Sequence, residues 1–147
     1  MINTKKIVFS LIAMGLLLGA TPAFGQFVGM WLGDGSGSCS PAPGIVIYPW
    51  QDWRGSISES EDIFKGEWRD KAGNHGTFYG KPTLSSSQER CFEGEWTWYD
   101  PFAPSSKPVV GGKFLITFNR FKECKGTWKT HWISSSSVGN IKGYKLN

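Results

Sequence analysis

The chain has 147 residues, of which 16 are basic and 12 acidic, giving a formal net charge of +4. Two of the basic residues, Lys5 and Lys6, lie in the first 25 residues, which contain no acid, so the remainder has a net charge of +4 less 2, or +2. Because no cluster of Lys and Arg stands out, the composition does not favour a nucleic-acid partner.

Residues 1–25 have the form of an export signal. The basic start precedes an apolar run over 7–20, and Ala23-Phe24-Gly25 offers the small residues that a signal peptidase accepts. The run is shorter than the roughly 20 residues that span a bilayer, and Pro22 ends it. We therefore expect cleavage after Gly25 and a single domain over 26–147. The product is expected to be secreted, periplasmic or attached to the cell surface, and not integral to the membrane.

Strands and turns are predicted along the rest of the chain, since no window has apolar residues at helical spacing. The predicted strands are 27–32, 45–49, 53–59, 62–70, 76–82, 90–99, 112–119, 123–133 and 140–146. Three segments rich in Gly, Ser or Pro are predicted loops: 33–44, 83–89 and 100–111. The third is a candidate lid over a barrel mouth, because Phe102 lies among its prolines.

One pattern recurs along these strands: an apolar residue, Gly and an aromatic residue, each separated by one spacer. It occurs at 27–31, 64–68, 92–96 and 124–128, and in a degenerate form at 141–144. Because alternate residues of a strand share a face, each copy directs its apolar residue, Gly and aromatic ring to one side. The spacers are largely polar, so the sheet has one dry face and one wet face.

Strands that are connected by hairpins and have no helix to cover them must bury their dry, apolar face. They must also leave no edge strand unpaired. Closing the sheet on itself does both. We therefore predict an all-β fold, an antiparallel up-and-down meander of eight or nine strands that closes into a small barrel. A two-sheet sandwich uses the same alternation and is the alternative. In the barrel, inward glycines make room for the large rings of neighbouring strands.

Gly29-Met30-Trp31 on the first strand resembles the first-strand G-x-W of the lipocalin and avidin barrels, the calycin-type folds. The meander of Trp-bearing strands is similar to theirs too, and the resemblance implies a barrel with a cavity for a small ligand. Lipocalins place a helix after their eighth strand, whereas nothing over 134–147 has a helical pattern, so the avidin type fits better. Gly33 stands where avidins usually have the Asn that binds biotin, so biotin is not implied. The repeated F-x-G-x-W also resembles secreted microbial β-proteins.

The leading functional hypothesis is a secreted, non-enzymatic binding protein for a small apolar or aromatic ligand. The cavity walls are then Trp31, Trp68, Trp96 and Trp128, whose parity points them inward. The competing interpretation of the same indoles is a solid aromatic core, as in a structural envelope component that self-associates.

A second hypothesis places recognition of a glycan or a protein partner on the surface. Trp50 and Trp53 fall outside the repeated pattern, beside Tyr48. Their spacing of three puts them on opposite faces of an extended segment, so one of them is expected to be exposed.

Three cysteines in an exported chain predict one disulfide and one free thiol. Cys124 replaces the apolar residue of the pattern and should face inward, whereas Cys91 precedes Phe92 and should face outward. Cys39 lies in a loop rich in Gly and Ser, so a bridge from it to either partner is feasible. The predicted pair is Cys39–Cys91.

Catalytic and metal-binding groups are sparse. His75 is placed in a turn and His131 on an outward position, and neither has the spacing of a nucleophile–base pair or of a metal site. We expect no enzymatic activity, no cofactor and no metal.

Overall fold

A computed structural model of the chain describes residues 25–103, 107–132 and 136–147. Ten strands account for most of these residues, and the described ranges contain no helix, in agreement with the predicted all-β class. In chain order the strands are β1 (Gly29–Gly35), β2 (Cys39–Ala42), β3 (Ile45–Ile47), β4 (Asp52–Ile57), β5 (Phe64–Arg69), β6 (His75–Ser85), β7 (Glu89–Trp98), β8 (Val109–Asn119), β9 (Glu123–Thr130) and β10 (Val138–Lys145). The predicted export signal lies outside the described residues, apart from Gly25.

Eight of the strands form one closed antiparallel barrel in the order β1-β10-β9-β8-β7-β6-β5-β4. The first strand closes it, since β1 pairs with β10 on one side and with β4 on the other. The predicted meander and barrel are therefore confirmed, and the sandwich alternative is wrong. No helix within the described ranges is long and apolar enough to cross a membrane.

The connection between β1 and β4 contains a separate two-stranded sheet of β2 and β3. The predicted loop over 33–44 is wrong for Cys39–Ala42, and also for 33–35, because β1 continues to Gly35. The composition of this segment hides the strand, but Cys39 pairs with Ile47 and both side chains are buried against the core. The predicted loops 83–89 and 100–111 are likewise shorter, because β6 continues to Ser85 and β8 begins at Val109.

The barrel has two different ends. The turn end holds the tight connections over 58–63, 86–88 and 120–122, together with residues 25–28. It is closed by Glu61, which accepts a hydrogen bond from the Gly25 N–H at 3.1 Å and pairs with Arg90 at 2.8 Å. Arg90 in turn lies over the buried ring of Phe27. The opposite, loop end holds the long connections over 36–51 and 99–108, with the shorter ones over 70–74 and 131–137.

Four indoles near the loop end share one arrangement, which we call the indole bridge. A Trp stands directly opposite a Gly on the next strand. Its indole N–H donates to a carbonyl on the strand beyond or, for Ser36, on the residue that directly follows that strand. The N···O distances are 2.8 to 3.2 Å. The four sets are Trp53–Gly33–Lys142, Trp68–Gly76–Thr97, Trp96–Gly112–Lys129 and Trp128–Gly139–Ser36.

Glycine is required at the centre of each indole bridge. A Cβ at any of the four positions would overlap the carbonyl oxygen that accepts the indole proton. At Gly76, for example, it would meet the Thr97 oxygen and lie 2.7 Å from the Trp68 ring nitrogen. The inward glycines therefore make room for neighbouring rings, as predicted, and they also let the hydrogen bond form.

We expect Gly76→Ala to lower the free energy of unfolding by at least about 3 kcal/mol, because the added methyl displaces both a strand and a buried ring. Gly73→Ala in the adjacent turn is the control. Gly73 has a positive φ of 89° but open space around its Cβ, so only about 1 kcal/mol should be lost there. Urea denaturation followed by fluorescence measures both, and equal losses would contradict the role given to Gly76.

Candidate functional site

The four predicted cavity walls are all buried, but they do not form one group. Trp68, Trp96 and Trp128 lie together near the loop end, with ring centroids of successive pairs 6.1 and 5.7 Å apart in edge-to-face geometry. Trp31 instead lies towards the turn end, where it contacts Phe118 at 4.6 Å and donates its N–H to the Phe27 carbonyl at 2.9 Å. The structure thus brings three of the four together and separates the fourth.

Aromatic rings fill the space that these indoles surround. Phe64, Phe78 and Phe114 contact one another across the barrel, with centroid distances of 4.9 to 6.1 Å. All three are exposed by 3% or less. The interior is therefore packed like a solid core.

Trp50 completes this filling, and its position overturns a prediction. The spacing of Trp50 and Trp53 predicts that one of them is exposed, which is wrong, since their exposures are 0% and 1%. The Trp50 ring enters the barrel and stacks on Phe78, with centroids 4.3 Å apart and planes at 21°. It also contacts Trp53 at 5.8 Å and Phe114 at 5.1 Å.

Backbone geometry directs Trp50 inward. Its φ is +64°, a left-handed conformation that is uncommon for a bulky residue and departs from the extended chain assumed in the sequence analysis. Gly35 allows the approach, because a Cβ there would lie 2.8 Å from both the Cβ and the carbonyl oxygen of Trp50. A backbone conformation of this kind costs on the order of 1 kcal/mol and persists where packing enforces it.

The segment that carries Trp50 is tied to the β5–β6 turn. Asp70, which is 7% exposed, accepts the Tyr48 N–H at 3.1 Å and also caps the turn through Ala72 and Asn74. Gln51 accepts the Lys71 N–H at 2.9 Å. The chain is therefore hydrogen-bonded to the β5–β6 turn both before and after Trp50.

Two indole N–H groups within the described residues are buried without a hydrogen-bond partner, those of Trp50 and Trp98. Both belong to the loop end, since Trp98 ends β7 and is 3% exposed. A buried polar group without a partner costs about 1–3 kcal/mol. The contrast with the four satisfied indole bridges singles out these two rings.

The surface platform predicted from Tyr48, Trp50 and Trp53 does not form as expected. Tyr48 is exposed by 42%, but both indoles are inside, and Trp53 belongs to an indole bridge through Lys142. Tyr48 is thus the one aromatic ring of the three that a surface partner can reach.

The predicted Cys39–Cys91 disulfide is absent, and each of the three cysteines, all of which lie in the described ranges, is a free thiol. Cys39 is buried in the aromatic core, whereas Cys91 is on the outer face of β7, 3.1 Å from the Thr117 hydroxyl. The barrel wall thus separates the two. Cys124 faces inward and Cys91 outward, as predicted.

Neither histidine is part of a recognisable catalytic group. His75 begins β6, where its ring stacks on Tyr99 at 4.8 Å, and His131 lies with Nδ1 2.9 Å from the Gly111 carbonyl oxygen. Both side chains are exposed. The described ranges hold no cluster of three or more His, Cys, Asp or Glu residues with the geometry of a metal site.

Comparison with protein-family models gives no match, and neither does comparison with curated proteins. Among solved structures, the chain is similar to intact Ap-TbpB, a transferrin-binding protein B with N and C lobes. The TM-score is 0.50 at 15% identity, over 81% of this chain and 26% of that one. The likeness is one of fold, and the chain spans about a quarter of the length of the protein it matches.

The contrast between satisfied and unsatisfied indoles can be measured. Trp96→Phe leaves the Lys129 carbonyl without its donor, whereas Trp50→Phe removes an N–H that has no partner. We expect Trp96→Phe to cost more stability than Trp50→Phe by about 1–3 kcal/mol. Both free energies of unfolding come from urea titrations, and a larger loss in Trp50→Phe would contradict this assignment.

The thiols should differ in reactivity. Burial raises the pKa of Cys39 and Cys124 to about 12, so both stay protonated and unreactive well above neutral pH in the folded state. At pH 8, an aromatic disulfide reagent that releases a yellow thiolate on reaction should therefore modify only Cys91 in the native protein. In denaturant it should modify all three cysteines. Cys91→Ser is the control, and rapid modification of two or three native thiols would contradict the buried positions.

Proposed function

We propose that this chain is a secreted, non-enzymatic binding protein that takes up a small flat aromatic molecule at the loop end of its barrel. The ligand takes the place that Trp50 fills in the structure. One observation carries the proposal: the Trp50 ring is fully buried and stacked on Phe78, yet its N–H has no partner. The ring is held by aromatic contacts without a hydrogen bond, and another flat molecule can supply such contacts.

The position of Trp50 along the chain supports replacement of its ring by a ligand. The ring comes from the segment that joins β3 to β4, outside the eight strands of the wall. Trp50 can therefore leave without breaking a barrel strand, after release of the links from Asp70 and Gln51. Leaving also relieves the left-handed backbone and hydrates the indole N–H.

The surroundings define the chemistry of the ligand. Phe78 offers a flat face for stacking, and the rings of Trp53 and Phe114 beside it limit the molecule to about the size of an indole. We extend the proposal to a molecule with a hydrogen-bond acceptor because Trp98, which ends β7 at the same end of the barrel, also has a buried N–H without a partner among the described residues. The ligand class is thus a two-ring aromatic compound with a ring nitrogen or carbonyl acceptor.

The similarity to a protein named for binding transferrin supports a binding role in general and not this ligand, because the likeness is limited to the fold. The export signal proposed for residues 1–25 places the activity outside the cytoplasm. Residues 104–106 of the candidate lid over 100–111 lie outside the described residues, and its last three residues belong to β8.

Trp50→Gly tests the proposal, since glycine accepts the +64° backbone conformation and its substitution empties the site. Quinoline, with an acceptor nitrogen, and naphthalene, without one, are the probes in isothermal titration calorimetry. We expect the variant to bind quinoline with one-to-one stoichiometry and more tightly than naphthalene. Wild type should bind quinoline at least about tenfold more weakly, because its own indole must first leave.

Trp50→Phe is the matched control, because it keeps a ring in the site and should behave like wild type. A folded Trp50→Gly variant that binds neither probe would contradict the proposal and favour the structural component with a filled core. In another outcome, Trp50→Gly binds quinoline while wild type shows no binding even far above the concentration that saturates the variant. That result would show that Trp50 does not leave the site, and it would also contradict the proposal.

A further inference from the structure

A groove of about 1090 Å³ runs across the outer face of β6–β9, apart from the interior site proposed above. Its floor is the wet face of four strands whose dry face packs on the core. Besides Pro82 and Val138, two exposed apolar side chains lie in it, Tyr79 with an exposure of 47% and Leu115 with 46%. They occupy β6 and β8, on either side of β7. The groove thus presents an aromatic ring and an aliphatic side chain to solvent.

Charged groups of both signs surround these two side chains. Lys81 and Glu93 are direct cross-strand partners, as are Glu95 and Lys113, and Lys129 lies beyond on β9. Among the described residues, none of these five groups forms an ion pair within 4.0 Å. Each therefore retains its capacity to donate or accept hydrogen bonds to a bound molecule.

Hydroxyl groups continue this polar border. Thr77 and Thr97 hydrogen-bond each other at 2.8 Å at one end of the groove, and Thr127 lies opposite Leu115. With three Lys against two Glu, the groove has little net charge, so a polyanion or polycation gains little from it. Carboxylates, ammonium groups and hydroxyls around an exposed ring instead suit a neutral molecule with many hydroxyls.

The closed barrel restricts what the groove can hold. A peptide strand cannot pair with β6–β9, because each of these strands is hydrogen-bonded on both sides. The groove extends across four strands that lie about 4.8 Å apart, so it is long enough to hold more than one ring of an oligomer. We propose that this groove binds a neutral oligosaccharide chain, with a sugar ring stacked on Tyr79 and its hydroxyls bonded to Glu93, Glu95 and Lys113.

The experiment titrates the protein over residues 26–147, the form expected after cleavage of the export signal, with cellohexaose, chitohexaose and maltohexaose by calorimetry. At least one of the three is expected to bind wild type. Tyr79→Ala should then weaken binding at least about tenfold, because the stacking face is lost. Tyr144→Ala is the matched control, since Tyr144 is an outward Tyr with 55% exposure on β10, outside the groove, and its affinity should equal that of wild type.

A second variant tests the polar border without altering shape. Glu93→Gln combined with Glu95→Gln should also weaken binding while the melting temperature stays unchanged. The proposal is overturned if wild type binds none of the three chains, or if Tyr79→Ala and Tyr144→Ala lose affinity equally. Binding to heparin alone, abolished by salt, overturns it as well and assigns the groove to a polyanion. Quinoline binding to Trp50→Gly is independent of every one of these outcomes.

Discussion

The barrel depends on a single repeated contact, the indole that lies across a glycine and donates to the carbonyl beyond it. Each indole bridge joins three neighbouring strands, and the four together link β4, β1, β10, β9, β8, β7, β6 and β5. The contact explains why Gly and Trp recur in this chain at strand spacing. A large ring needs the volume above a glycine, and a buried indole N–H needs an acceptor. One geometry meets both needs, and any side chain larger than hydrogen at the centre removes it.

The indole bridges also distinguish the Trp residues at the loop end from one another by the hydrogen bonds of their N–H groups. Four indole N–H groups there donate to carbonyls of the barrel wall, whereas those of Trp50 and Trp98 have no hydrogen-bond partner among the described residues. Trp50 therefore differs from the other rings of the core in kind: it comes from an inserted segment, lies in a left-handed backbone and contributes packing without a hydrogen bond. Burial of a ring of this size stabilises by about 2–3 kcal/mol, which the strain and the unpartnered N–H largely offset. A near balance of this kind allows an outside ligand to compete.

Much of the fold follows from the sequence because the wall obeys a period of two. Strand parity places Trp31, Cys91 and Cys124 on the correct faces, and the absence of helical spacing leaves closure as the way to bury one side. The inserted segment has no such period. Strand β2 is hidden in a composition typical of loops, and Trp50 turns inward through a positive φ that no residue pattern signals. The predicted Cys39–Cys91 disulfide is wrong for the same reason. No pattern in the inserted segment shows on which side of the barrel wall Cys39 lies. The outer groove is formed largely by spacer residues of the strands. The alternation of polar and apolar residues predicts only that these spacers form a polar face, and not that they line a groove.

Closure of the wall between its first and last strands also brings together the residues that flank the barrel at its two ends along the chain. The Lys145 ammonium donates to the Gln26 carbonyl at 2.9 Å, although 119 residues separate them along the chain. A domain whose ends meet at one point can be inserted into a loop of another protein as a cassette, because the host chain enters and leaves at nearly the same place. The barrel is therefore suited by its geometry to serve as one module of a larger assembly.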